Sequence, residues 1–107
     1  MRSVMVRYRV RAERAAENEA LVRDVYEQLH DEQPDGLHYA TFVEPDGVAF
    51  VHVAFTEAQV TGPVLTQLSA FRRFQEGLAE RCEEPPVVSE LREVGSFRLH
   101  PDERAPA

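Results

Sequence analysis

Leu37-His38-Tyr39-Ala40-Thr41-Phe42-Val43-Glu44-Pro45-Asp46-Gly47-Val48-Ala49-Phe50-Val51-His52-Val53-Ala54-Phe55 reads as two strands, 37–43 and 48–55, around a turn at 44–47. Asp-Gly is a strong turn signal because both positions tolerate positive φ. Whether the loop holds two or four residues, odd positions of the first strand share a face with even positions of the second. One face then carries His38, Ala40, Phe42, Ala49, Val51, Val53 and Phe55. The other carries Leu37, Tyr39, Thr41, Val43, Val48, Phe50, His52 and Ala54.

Helical patterns lie on both sides of this hairpin. Upstream, residues 13–32 place Leu21, Val22, Val25 and Leu29 on one stripe, with acidic residues near the start where the helix dipole favours them. Pro34-Asp35-Gly36 ends that helix. Before it, residues 4–11 alternate: Val4, Val6, Tyr8 and Val10 on one face, Met5, Arg7, Arg9 and Arg11 on the other. Downstream, Thr56-Glu57-Ala58-Gln59 has capping-box spacing and Gly62-Pro63 punctuates. A second helix is expected from there to about Cys82, stopped by Pro85-Pro86. Residues 87–97 are expected as a last strand, with Gly95 at a bulge. A single domain over 1–99 and a mobile tail over 100–107 complete the reading.

The order strand, helix, strand, strand, helix, strand predicts an α+β split βαβ pair. Its sheet has four antiparallel strands, and right-handed crossovers put both helices on one face. The more uniformly apolar faces are expected beneath the helices: Val4, Val6, Tyr8 and Val10 with Phe42, Val51, Val53 and Phe55. Met5, Arg7, Arg9, Leu37, Tyr39, Thr41, Val43, Val48, Phe50 and His52 are then left uncovered. Four strands at ~4.8 Å spacing and five residues at ~3.3 Å rise give a sheet of roughly 300 Å² in plan. A face of that size and mixed polarity predicts a homodimer through the sheet, with a small cavity remaining.

Composition narrows the function. The chain has 107 residues, 43% of them hydrophobic, and a formal charge of −7. That charge argues against nucleic acid and anionic membrane partners. No run is long and apolar enough for a span, and a cytoplasmic protein is expected. One cysteine, Cys82, excludes an internal disulfide and is expected on a helix core face. There is no lysine, which excludes Schiff-base chemistry, pyridoxal phosphate anchoring and a Walker-type phosphate loop. No three of the four histidines converge, so neither a metal site nor a cofactor is expected.

Val6-Arg7-Tyr8-Arg9-Val10 opening a helix, Phe50-Val51-His52-Val53-Ala54-Phe55-Thr56-Glu57-Ala58, and Ser69-Ala70-Phe71-Arg72-Arg73-Phe74-Gln75-Glu76-Gly77-Leu78 carry a resemblance. Over about residues 4–98 the chain resembles the antibiotic biosynthesis monooxygenase-like group of dimeric α+β barrel proteins. The resemblance implies two ferredoxin-like protomers, each βαββαβ, that pack their sheets into a barrel. It implies cofactor-free oxygenation of phenolic or quinol-like molecules in some members and haem degradation in others. The chain departs from active members in having no tryptophan. Its one asparagine, Asn18, is expected in solvent. Residues 64–83 hold no histidine, which counts against haem chemistry.

His52 is the leading catalytic candidate, since a neutral histidine can take a proton from a phenol. Tyr39 would orient the substrate. Arg7 or Arg9 would stabilise its anion, or else pair with Glu90 or Glu93 on the last strand. Thr41 and Phe50 would line the site. The plainer alternative for His52 is an interface histidine satisfied by Tyr39 or Thr41. Two functions are therefore expected to compete. One is a cofactor-independent monooxygenase acting on an aromatic or quinone-like small molecule. The other is a non-catalytic protein on the same scaffold that binds a small aromatic or anionic ligand, or only dimerises.

Overall fold

The computed structural model describes residues 1–99; the tail expected over 100–107 lies outside them. The elements are β1 (Arg2–Val10), α1 (Ala15–Glu32), β2 (Leu37–Val43), β3 (Ala49–Thr56), α2 (Ser69–Gln75), α3 (Leu78–Arg81) and β4 (Cys82–Leu91). Single 3-10 turns at Ala12–Arg14 and Leu65–Gln67 lead toward α1 and α2. The strands form one antiparallel sheet in the order β2-β3-β1-β4, the ferredoxin-like α+β arrangement.

The hairpin parity holds: Val43 pairs with Phe50 and Thr41 with His52. Asp46 shapes the turn by accepting hydrogen bonds from the Val48 and Ala49 amides. Residues 56–59 form no helix start; Thr56 ends β3 and a turn follows. The second helix is broken earlier than expected. Gly77 adopts φ 72°, which splits α2 from α3. The chain is already extended at Cys82, so that residue opens β4 instead of sitting on a helix. Pro85 and Pro86 lie inside β4 instead of stopping a helix, and Gly95 lies beyond it. An edge strand tolerates them because the pairing with β1 slips there, from Arg7 opposite Val87 to Arg9 opposite Glu84.

The helix-covered face is the main correction. Val6 pairs with His52 and Tyr8 with Phe50, so both hairpin residues share the β1 face that α1 and α2 bury. The core joins Tyr8, Val10 and Phe50 to Val22 and Val25 of α1 and to Ala70 and Phe74 of α2. Tyr39 and Thr41 lie on this covered face as well. Met5, Arg7, Ala40, Phe42, Val51, Val53 and Val87 lie on the other, as does His38, expected beneath the helices. The physical reason is that Tyr26 of α1 bonds Thr41 of β2, Asn18 of α1 bonds Tyr8 of β1, and Tyr8, Tyr39 and Thr41 together satisfy His52. Their burial is therefore matched by hydrogen bonds.

Candidate functional site

β3 drives His52 into the centre of the covered face, where it is 5% exposed. Its Nε2 lies 2.8 Å from the Tyr8 hydroxyl on β1. Its Nδ1 lies 2.7 Å from the Tyr39 hydroxyl and 3.1 Å from Thr41 Oγ1 on β2. Tyr26 of α1 reaches Thr41 Oγ1 at 2.7 Å. Aromatic rings wall the imidazole: Tyr8 and Phe74 have centroids 5.3 and 5.4 Å from it. Phe50 stacks on the far side of Tyr8 at 5.6 Å.

The network continues into residues that the sequence reading missed. Asn18, expected in solvent, is 0% exposed. It donates from Nδ2 to the Tyr8 hydroxyl at 2.9 Å and accepts on Oδ1 from Arg81 Nε at 3.0 Å. Arg81 is 1% exposed. Its guanidinium also donates to the Phe74 and Glu76 carbonyls at the end of α2, at 2.6 and 3.1 Å. It sits over the Phe74 ring, 5.5 Å from its centroid. No carboxylate lies within ion-pair distance of it among the described residues. A buried cation is held here by carbonyl oxygens and by the negative end of a helix. The available signal was an arginine just after a Gly77 helix break, where side chains commonly cap exposed carbonyls.

Burial sets the protonation states. It pushes His52 down to about 4, so the imidazole is neutral at neutral pH. It pushes the Tyr8 and Tyr39 hydroxyls well up, and Tyr26 up, so all three keep their protons. Among the described residues, every buried side-chain nitrogen and oxygen has a partner.

Two cavities reach this layer and a larger one lies beside it. A cavity of about 610 Å³ lies against the end of the covered face, lined by Leu37, Ala54, Thr56, Val64, Leu65 and Phe71. Ala54 is the register partner of Tyr39, so the cavity begins one residue pair from His52. Two smaller ones flank Tyr26. Tyr39 lines one of about 210 Å³, and Thr41 with Phe50 lines one of about 230 Å³.

The structure thus brings His52, Tyr39, Thr41 and Phe50 together, but beneath the helices and not on the open face. Arg7 and Arg9 lie on that open face. They pair with Glu44 at 3.0 Å and Asp46 at 2.8 Å, and Arg9 also reaches Glu84 of β4 at 3.8 Å; Glu90 pairs instead with Arg2. His38 meets Glu57 at 2.8 Å. Cys82 is buried in the core. Among the described residues no cluster of three His, Cys, Asp or Glu could hold a metal ion. No helix there is long and apolar enough to cross a membrane.

No protein-family model matches the chain, and no curated protein matches it. Solved structures do. A structure described as an antibiotic biosynthesis monooxygenase matches with TM-score 0.73 and 19% identity, covering 89% of this chain and 100% of that one. A structure described as a putative antibiotic biosynthesis monooxygenase, from Nitrosomonas europaea, matches with TM-score 0.74 and 14% identity, over 89% and 100%. A mutant of SnoaB, described as a cofactor-independent oxygenase from Streptomyces nogalater, matches with TM-score 0.67 and 12% identity, over 91% and 96%. The resemblance read from the sequence is thereby shown at the level of architecture: this chain has the fold of the antibiotic biosynthesis monooxygenase structures.

Proposed function

We propose that the chain is a cofactor-independent, monooxygenase-like protein acting on an aromatic or quinone-like small molecule. The observation that carries this reading is a neutral His52 bonded to Tyr39, with Tyr39 lining a cavity of about 210 Å³ and Thr41 and Phe50 lining one of about 230 Å³ on either side of Tyr26. The fold it shares with a protein described as a cofactor-independent oxygenase supports the reading. In it, Tyr39 meets the oxygen of the ligand, His52 governs the proton at that oxygen, and Thr41 and Phe50 border the site. A substrate anion of this kind can give one electron to O₂. The resulting radical and superoxide combine into a peroxide, which takes a proton and loses water. A methylene carbon becomes a carbonyl: one atom of O₂ stays on the product, and the other leaves in water with both hydrogens.

A second reading, binding without turnover, is favoured by the pairing of the layer: among the described residues every buried side-chain nitrogen and oxygen already has a partner. Oxygen uptake with a panel of anthrones and quinols separates the two. The oxygenase reading expects one O₂ consumed per substrate, and a loss of about 10²-fold or more in a folded His52→Ala variant. A protein that binds panel members but takes up no oxygen is a binding protein.

We also infer that two copies pack through their open faces. Phe42 is 60% and Val87 63% exposed there, beside half-buried Met5, Val51 and Val53. An isologous pair of such faces would remove this surface from water.

A further inference from the structure

We propose that the buried Arg81 guanidinium, acting through Asn18 and Tyr8, holds His52 as the Nδ1–H tautomer and so leaves the Tyr39 hydroxyl proton for an oxygen acceptor on the ligand. This rests on the assignment of the layer beside His52 as the ligand site.

Donor counting carries the argument. A guanidinium only donates. Asn18 must therefore turn its oxygen to Arg81 and its NH₂ to Tyr8. The Tyr8 oxygen accepts from Asn18, and its own proton has one remaining partner, His52 Nε2 at 2.8 Å. Nε2 is thus the bare nitrogen, and a neutral imidazole then carries its hydrogen on Nδ1. That hydrogen points at Tyr39 and Thr41. Beyond it, Thr41 and Tyr26 bond to each other at 2.7 Å. The Tyr39 oxygen accepts from Nδ1–H at 2.7 Å, and its own proton is left for another acceptor. Tyr39 borders the cavity of about 210 Å³, so that proton is offered there. With the opposite tautomer, Nδ1 would accept the Tyr39 proton and leave none for a ligand at this hydroxyl.

The chemistry that fits is a phenolate or a quinone-like carbonyl oxygen. His52 and Tyr39 then stabilise a substrate anion, the task the sequence reading gave to Arg7 or Arg9. Arg81 and Asn18 are positioning residues that touch no ligand.

Two-bond proton–nitrogen spectra of the uniformly ¹⁵N-labelled protein, with His52 assigned by its absence in His52→Gln, test the claim. The wild type should show a protonated Nδ1 and a bare Nε2. Asn18→Asp keeps size and the contact to Arg81, but its carboxylate only accepts. It takes the Tyr8 proton, so the hydrogen of His52 should move to Nε2. Titration with 4-nitrophenol should show preference for the phenolate in the wild type, reduced about tenfold or more in Asn18→Asp. A wild-type proton on Nε2, an unmoved proton in Asn18→Asp, or an unchanged phenolate preference would overturn the proposal. If Asn18→Asp does not fold, Tyr8→Phe replaces it and should yield mixed tautomers; a single Nδ1–H form would overturn it equally. No readout involves turnover. The expected tautomers in a protein that oxidises nothing would sink the oxygenase reading alone.

Discussion

Asn18 Oδ1 accepts from Arg81 Nε at 3.0 Å, joining α1 to the residue just before β4 across 63 positions of sequence. One amide thus satisfies a buried cation on one side and a buried phenol on the other. Asn18→Leu keeps the branched outline of the side chain and removes both bonds. It should lower stability by roughly 2–4 kcal/mol, the range for orphaning buried polar and charged groups. Asn18→Asp, which retains an acceptor for Arg81, should cost clearly less. Urea denaturation followed by circular dichroism checks the order. Equal stability of Asn18→Leu and the parent would mean that Arg81 finds another partner.

Acid should unfold the protein through His52. Its folded value is depressed from 6.5 to about 4 by burial, so between those values the unfolded chain binds a proton that the native one refuses. The contribution is fully present above about pH 6.5 and is lost as pH falls towards 4, on the order of 2–3 kcal/mol at most. Thermal midpoints should fall across that window in the parent. A His52→Gln variant should show a flatter profile there, and an unchanged slope would place the acid-sensitive group elsewhere.

The two faces of the sheet should respond differently to a buried charge. Val53 lies on the open face, opposite Met5 and Ala40. Val53→Glu should leave the circular dichroism of the fold intact while size-exclusion with light scattering reports a monomer. Phe50, 2% exposed beneath the helices, should behave otherwise: Phe50→Glu should lose the fold itself. A parent that is already monomeric would remove the dimer proposal.

Element order and the facing parity of the hairpin could be read from sequence because alternation and turn chemistry are local. That Val43 and Phe50 share a face follows for a loop of two or of four residues; which of the two it is, and so their direct pairing, came only with the structure. Which hairpin face meets the helices is not local. It depends on what the helices bring, and Tyr26 and Asn18 of α1, Phe74 of α2 and Arg81 of α3 turn a face bearing His52, Tyr39 and Thr41 into the better-satisfied one. Ranking faces by apolar content therefore inverted them. The same blindness put Asn18 in solvent, since a lone polar residue on a helix gives no sign of a partner many residues away. The His52–Tyr39–Thr41 cluster was legible because alternate residues on paired strands must meet. The Pro85-Pro86 pair misled because proline signals a helix stop and an edge-strand bulge alike.

Gly36 should prove indispensable to the rim of the larger cavity. Its φ is +80°, a region that costs an ordinary residue about 1–2 kcal/mol. A Cβ built there would also clash with Val60 Cγ2, which would have to move. Val60 lines the cavity, and the Glu57 amide donates to the Gly36 carbonyl at 2.9 Å, so the turn after β3 is seated directly on this glycine. Gly36→Ala should therefore lower stability by roughly 2–4 kcal/mol, combining backbone strain with overpacking. It should also raise amide exchange in residues 57–60 more than in α1. Adding Val60→Ala should relieve the clash but not the backbone strain, so the double variant should recover only part of the loss. Full recovery would mean that contact with Val60, not conformation, makes glycine necessary here; no recovery would mean the reverse.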